Sequence, residues 1–181
     1  FEDSRSANFE KSISDTSRQK REGDLEGKDY YFLSEKDFKD KIKKEEYVEY
    51  AIVFGNFYGT SKEEIKTKYN NSNLILELDW QGAYSVKELF DDAKLIFLVP
   101  PSLDDLKQRL IKRNLDSSEA IENRLSEAKK EISKSEMYDY LVLNDDFDKA
   151  FEDLSQILFE GISPIDFNSR ASKDLIKRLV E

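Results

Sequence analysis

Two stretches of the chain hold side chains whose types and spacing could do chemistry. Ser12 to Tyr30 reads SISDTSRQKREGDLEGKDY and sets Arg18 and Arg21 beside small hydroxyl residues, Ser14 among them, and a tyrosine, Tyr30. Glu49 to Ser61 reads EYAIVFGNFYGTS and holds a carboxylate, Glu49, with Tyr58 and Thr60. Guanidiniums with hydroxyls suit a phosphate monoester, because arginine presents a planar fork that matches phosphate oxygens. A carboxylate with a neighbouring hydroxyl suits a guanine edge. Each stretch alone also reads as a charged loop and an edge strand, since surface Arg and Glu usually have no task.

Three further groups stand out. Glu77 and Asp79 frame an apolar run in LELDWQG, and a carboxylate within such a run is costly unless it is paired or bound to a ligand. Asp79 could equally cap the following helix, and both roles can hold together. Arg109 and Arg113 lie at i and i+4 on one helical face, and Arg124 borders the apolar stripe of Ile121, Leu125, Ala128 and Ile132. Surface arginines that snorkel are the plain alternative for any one of them. Asn144-Asp145-Asp146 ends another apolar run, where one of the aspartates suits a helix N-cap.

The elements that must position these groups follow from the apolar pattern. The 181 residues carry a net charge of −10, which argues against a non-specific nucleic-acid binder while leaving room for a local arginine cluster. Cysteine and histidine are both absent, so disulfides, thiol chemistry and Ser-His catalysis are excluded and carboxylates are the remaining metal ligands. No apolar run approaches about 20 residues, so no membrane-spanning helix is expected. No signal peptide is visible, and the expected setting is the cytoplasm.

Phe9 to Ile13 and Tyr30 to Leu33 read as strands, with the polar Ser14 to Lys28 as a long loop between them. Ser34 opens a helix with Asp37 three residues on and Leu33 against Phe38. Tyr47 to Phe54 reads as a strand turned by Gly55-Asn56, and Thr60 with Glu63 begins a short helix. After a polar break at Asn70 to Asn73 come the runs Leu74 to Leu78, Leu95 to Val99 and Tyr140 to Leu143. Helices follow them, bearing Val86, Leu89 and Phe90, then Leu103, Leu106 and Leu110, then Phe151, Leu154 and Leu158, the last stopped by Gly161. Ser102 caps the second of these, and Asp116 and Glu119 open the helix that carries Arg124. Strand alternating with helix predicts an α/β fold with a parallel sheet and helices on both faces, ligands lying beyond the carboxyl ends of the strands. Those ends fall at Asp79, Pro100 and Asn144. Leu175, Ile176 and Leu179 predict one docking helix in the tail from Gly161 to Glu181.

Taken in order, these motifs resemble guanylate kinases, from about Phe9 to Phe159. SDTSR matches the family pattern S-x-T-T-R with Ser17 for the second threonine, and Asp24 stands where members usually carry glutamate. The resemblance implies a P-loop kinase core of residues 1–13, 74–113 and 139–181, an inserted mixed α/β GMP-binding lobe at 14–73 and a helical lid at 114–138. It implies transfer of the γ-phosphate of ATP to GMP, with Mg²⁺, in purine nucleotide metabolism. Ser14, Arg18, Arg21, Tyr30 and Tyr58 fall on the GMP phosphate site, Glu49 and Thr60 on the residues that read guanine, and Glu77 on one facing the acceptor. Asp79 falls near the magnesium and phosphates, Asn144 near the adenine of ATP. Arg113 and Arg124, with Arg109, fall on the arginines that reach the transferring phosphate, whose moving charge such groups stabilise. Asn114-Leu115 departs from the glycine common after Arg113, which leaves the hinge open. Neither nucleic acid nor membrane is an expected partner, and a homo-oligomer stays open.

The pattern G-x-x-x-x-G-K-[S/T], whose amides and lysine hold the phosphates of ATP, does not occur in the 181 residues. In the family it precedes the position of Phe1, on a strand–loop–helix unit. A chain without it is expected to bind GMP and not to transfer phosphate, with a gap or a further segment beside Phe1. The rivals are a non-catalytic guanylate-kinase-like interaction domain, opposed by Arg113 and Arg124, and another nucleoside monophosphate kinase, opposed by Glu49 and Thr60.

Overall fold

A computed structural model describes residues 8–69, 72–113 and 117–180. The chain divides into two compact units, residues 1–91 and 92–181. The surroundings of Phe1, the start of the polar break at Asn70, Asn114-Leu115 and Asp116 lie outside the described residues.

The first unit holds strands β1 (Phe9–Lys11), β2 (Asp15–Thr16), β3 (Tyr31–Phe32), β4 (Tyr47–Val53), β5 (Asn56–Ser61) and β6 (Asn73–Ile75). Its helices are α1 (Glu35–Lys43), α2 (Lys62–Lys68) and α3 (Trp80–Leu89). β1 runs parallel to β6, with Lys11 opposite Ile75 and Ser12 N–H donating to the Ile75 carbonyl at 3.0 Å. This ladder pairs only Asn73 to Ile75, so the expected strand through Leu78 is shorter, and Glu77 is exposed rather than embedded in a buried run.

The other four strands make a mixed sheet in the order β3-β2-β5-β4. β2 was expected as loop because Asp15 and Thr16 are polar. It becomes strand because β5 pairs it on one side and β3 on the other, and both side chains are buried. The β4–β5 hairpin turns at Phe54 (φ 49°) and Gly55 (φ 75°), one residue earlier than Gly55-Asn56. Two positive φ values are what a two-residue hairpin needs to match strand twist. Glycine adopts the conformation freely, while at Phe54 it costs about 1–2 kcal/mol.

α1 starts as expected, with Ser34 Oγ accepting from Asp37 N–H at 3.1 Å. Its apolar face is Phe38, fully buried, stacked on Tyr47 at 4.5 Å and tilted on Phe57 at 5.2 Å between ring centroids. α2 is capped by Ser61, whose Oγ accepts from Glu64 N–H at 3.1 Å, and not by Thr60 with Glu63. The Thr60 hydroxyl is taken by Glu49. In α3, Val86 is buried as expected but Leu89 is exposed.

The second unit holds β7 (Ile96–Val99) and β8 (Tyr140–Leu143), parallel and paired from Ile96–Tyr140 to Val99–Leu143. Their carboxyl ends lie side by side, and Asn144 N–H donates to the Val99 carbonyl at 2.8 Å. The helices are α4 (Leu103–Arg113), α5 (Ser118–Ile132), α6 (Phe147–Glu160) and α7 (Arg170–Val180). Ser102 accepts from Asp105 N–H at 3.0 Å, Ser117 caps α5, and Asp146 caps α6 by accepting from Lys149 N–H at 2.9 Å. Gly161, at φ 67°, closes α6 in the left-handed conformation. The inward face of α6 is Ala150, Asp153 and Ile157, while Phe151 is exposed, because the helix is rotated from the expected stripe. α7 docks through Leu175, Ile176, Leu179 and Val180 onto the cluster of Phe97, Val99, Ile132 and Leu141.

Candidate functional site

β4 carries the first piece. Tyr47 pairs with Ser61 and Glu49 with Thr60, so Val48 is an extra residue opposite no partner of its own, a β-bulge. In a regular strand residues two apart point the same way. The bulge breaks that rule. Tyr47 turns to α1 and stacks on Phe38, while Glu49 turns to the face that carries Thr60. Glu49 is 6% exposed, and its Oε1 accepts from Thr60 Oγ1 at 2.6 Å. Burial pushes the Glu49 carboxyl above its usual range, partly opposed by hydrogen bonds from the Thr60 hydroxyl and backbone, with Asp79 adding a like charge. Strand alternation from Glu49–Thr60 places Ala51, Tyr58 and Thr16 on this same face.

β2 and the loop after it carry the second piece. Thr16 is fully buried; its Oγ1 donates to the Phe57 carbonyl at 2.9 Å and accepts from Arg18 N–H at 3.1 Å. Ser17 Oγ accepts from Phe57 N–H at 2.9 Å. The Arg18 backbone is thereby tied to β5. Its guanidinium meets Asp24 Oδ2 at 2.9 Å, donates to the Gln19 carbonyl at 2.9 Å and lies 5.3 Å from the Tyr30 ring centroid. Asp24 also accepts from Arg21 N–H at 2.8 Å. That bond, then the Arg18 guanidinium, holds the Asp24 carboxyl below its usual range. The shorter acid thus reaches both arginines. Tyr30 sits edge-on to Tyr58 at 5.8 Å. Burial, then Tyr58, raises the Tyr30 hydroxyl, and Glu77 acts on it as a nearby charge. Glu77 itself pairs with Lys11 at 2.8 Å. Ser14 is half-buried, and its carbonyl accepts from Tyr31 N–H at 3.0 Å.

The structure thus brings Ser14, Arg18, Arg21, Tyr30, Glu49, Tyr58 and Thr60 into one mixed sheet and its loop. Asp79 N-caps α3, Oδ1 accepting from Gly82 N–H at 3.0 Å and Oδ2 from Gln81 Nε2 at 2.9 Å. In the second unit, Arg109 donates to the Asp145 carbonyl at 3.0 Å, next to Asn144 at the end of β8. Arg113 ends α4, and the half-buried Arg124 lies on α5, which packs on α4 through Lys107–Glu122 at 2.7 Å.

Two buried braces had no reading from sequence. Asp15, 3% exposed, accepts from Lys41 Nζ at 2.5 Å and Tyr47 OH at 2.8 Å, tying β2 to α1 and β4. Glu64 accepts from Ile13 N–H at 2.8 Å and meets Lys68 at 2.6 Å. These contacts fall on the residues either side of Ser14. Their partners lie 26, 32 and 51 positions apart in sequence, so spacing gave no signal.

A protein-family model described as guanylate kinase matches residues 2–161. A guanylate kinase of Wolbachia sp. subsp. Brugia malayi is 45% identical over 156 residues, covering 85% of this chain and 80% of its own. One from Hahella chejuensis is 49% identical over 147 residues, covering 81% and 71%. The crystal structure of guanylate kinase from Anaplasma phagocytophilum superposes with a TM-score of 0.71 at 31% identity, covering 98% of this chain and 88% of that one. The fold and the matched residues define a nucleotide-kinase-like α/β protein. The chain belongs to the guanylate kinase family.

Proposed function

We infer that this chain is a guanylate kinase, an ATP:GMP phosphotransferase whose acceptor site lies in its first unit. The observation that carries this reading is the buried Glu49–Thr60 pair on the sheet face that also bears Tyr58. Guanine offers N1–H and N2–H₂ as donors, and an ionised Glu49 accepts both. Adenine presents an acceptor at N1, which a carboxylate repels. The Thr60 hydroxyl, donating to Oε1, fixes the carboxylate plane and leaves its remaining lone pairs for the base. Arg18, Arg21, Ser14, Tyr30 and Tyr58 grip the phosphate, with Asp24 holding the two arginines in register and Glu77 facing the acceptor. Arg109, Arg113 and Arg124 serve the transferring phosphoryl group, and Asn144 the adenine of ATP.

Mg²⁺ with ATP neutralises phosphate charge and is the expected cofactor. Each Asp79 oxygen already accepts one hydrogen bond and keeps a lone pair, which fits an outer place reached through water. Among the described residues no cluster of three or more acidic side chains is arranged to hold a metal ion. Asp79 would hold the hydrated ion's edge, with its position set by the α3 cap.

No helix among the described residues is long and apolar enough to cross a membrane. The proposed setting for a kinase acting on small nucleotides is the cytoplasm. The phosphate-cradling motif does not occur among the 181 residues. We therefore expect these residues alone to bind GMP without transferring phosphate. Calorimetry with GMP and AMP, alongside a GDP assay with ATP and Mg²⁺, tests both statements. GMP binding with AMP ignored and no GDP formed is the expected result. Equal binding of AMP and GMP would refute the guanine reading, and GDP formation by the 181 residues would refute the second statement.

A further inference from the structure

We propose that Gly82 is a positioning residue for guanine recognition: its missing side chain is the space in which the Glu49 carboxylate sits. The inference rests on the guanine-reading role of Glu49. Gly82 lies in the first turn of α3, inside the helix, with a φ that any residue adopts. Nothing in its backbone conformation calls for glycine, and helix propensity favours alanine there. The requirement comes from the surroundings. A Cβ at this position would stand 2.7 Å from Glu49 Oε2, 3.2 Å from Glu49 Cδ and 3.4 Å from Leu78 Cβ. Real carbon–oxygen contacts do not reach 2.7 Å, so something must move.

A flexible side chain could swing aside, but Glu49 is not free to do so. It is 6% exposed, and its other oxygen is bound to Thr60 at 2.6 Å. Thr60 is fully buried. Making room therefore turns the carboxylate plane, breaks the Thr60 bond or lifts α3 from β4. The same residue's N–H donates to Asp79 Oδ1, so lifting the turn also disturbs the cap that places Asp79. Gly82 thus sets the spacing between the base-reading carboxylate and the aspartate at the start of α3. The close approach brings Glu49 against an apolar Cα instead of a hydrogen-bond donor. Its outer oxygen keeps its accepting capacity for the ligand.

A rotated carboxylate keeps one of its two hydrogen bonds to guanine and loses the other. IMP, which has N1–H but lacks the 2-amino group, makes only one. Gly82→Ala is therefore expected to weaken GMP about tenfold or more, the scale of one hydrogen bond to a charged group, while IMP changes by less than about threefold. Calorimetry of the unaltered chain and of the variant with both nucleotides reads this directly, with circular dichroism as the check on folding. If Gly82→Ala alone does not fold, the Glu49→Asp background decides. The shorter acid withdraws by one methylene, so adding Gly82→Ala to it should fold and change GMP affinity by less than about twofold. A wild-type GMP-to-IMP ratio in Gly82→Ala, on a chain that prefers GMP, overturns this inference alone. So does an equal loss in the Glu49 and Asp backgrounds. An unaltered chain with no preference for GMP over IMP overturns the guanine reading and this inference with it.

Discussion

The two sides proposed for the acceptor site, one reading the base and one gripping the phosphate, are built differently. Glu49 and Thr60 are buried, bonded to each other and backed by Gly82 of α3. Arg21 is exposed, while Arg18, Tyr30 and Asp24 are largely but not fully buried and are held by one another. The difference follows from what each side must do. Choosing guanine requires a desolvated acceptor whose mismatch cannot be relieved by water. Gripping a phosphate requires charge, and charge remains effective while partly hydrated. Selectivity should therefore reside in the fully buried base side and affinity should be shared with the partly hydrated phosphate side.

Removing the charge from the buried side should break the comparison most severely. Glu49→Gln is isosteric but offers one oxygen and an N–H₂ donor, so it repels part of the guanine edge and tolerates adenine. The preference for GMP over AMP should fall by about 10³ or more, read as a ratio of calorimetric affinities. A preference that survives within threefold would move base selection elsewhere.

The next effect is on stability. Lys41→Met leaves the buried Asp15 with only the Tyr47 hydroxyl, and because Lys41 is itself partly exposed the loss costs about 1–3 kcal/mol. Denaturant unfolding should show it, together with weaker GMP binding, because β2 directly follows Ser14 and leads to Arg18. A loss below about 0.5 kcal/mol would show that the brace is dispensable.

Arg18→Ala acts on the phosphate side. It should weaken GMP by about 10- to 100-fold, the worth of a charge-assisted bond, with guanosine affinity unchanged. A parallel loss of guanosine binding would mean that Arg18 supports the base side as well.

Acidity should separate the two sides by about tenfold per pH unit. Burial raises the Glu49 carboxyl, so the folded chain holds a proton there over a window above the ordinary glutamate range. In that window the free chain loses stability as pH rises, because folding favours the protonated form. GMP favours the ionised form, so its affinity should rise through the same window, while a nucleotide held by phosphate alone should not follow. A GMP affinity flat from pH 4 to 7 would contradict the buried-carboxylate account.

The legible part of the molecule was the part written in local pattern. Ser34, Ser102 and Gly161 each announced a helix end, one of Asp145 and Asp146 announced another, and Leu95 to Val99 and Tyr140 to Leu143 announced strands, although Leu98 is exposed where cover on both faces was expected. Motif order carried the resemblance to the family. What stayed hidden was tertiary. The bulge at Val48 depends on how β4 meets β5, and the cap at Ser61 depends on Glu49 taking the Thr60 hydroxyl. Asp15 and Glu64 look like surface acids until Lys41 of α1, Tyr47 of β4 and the Ile13 backbone after β1 bond to them. Gly82 looks like a helix defect until Glu49 is placed beside it.

The most direct test observes Glu49 itself. Carbon-13 NMR of its side-chain carboxyl, followed against pH with and without nucleotide, reports the protonation of the residue said to read guanine. The free chain should show Glu49 ionising above an ordinary glutamate. Saturating GMP should bring that transition down, because two base N–H groups then stabilise the carboxylate, and AMP at the same concentration should leave it in place. A Glu49 signal that titrates identically with GMP, AMP and no nucleotide would contradict the account.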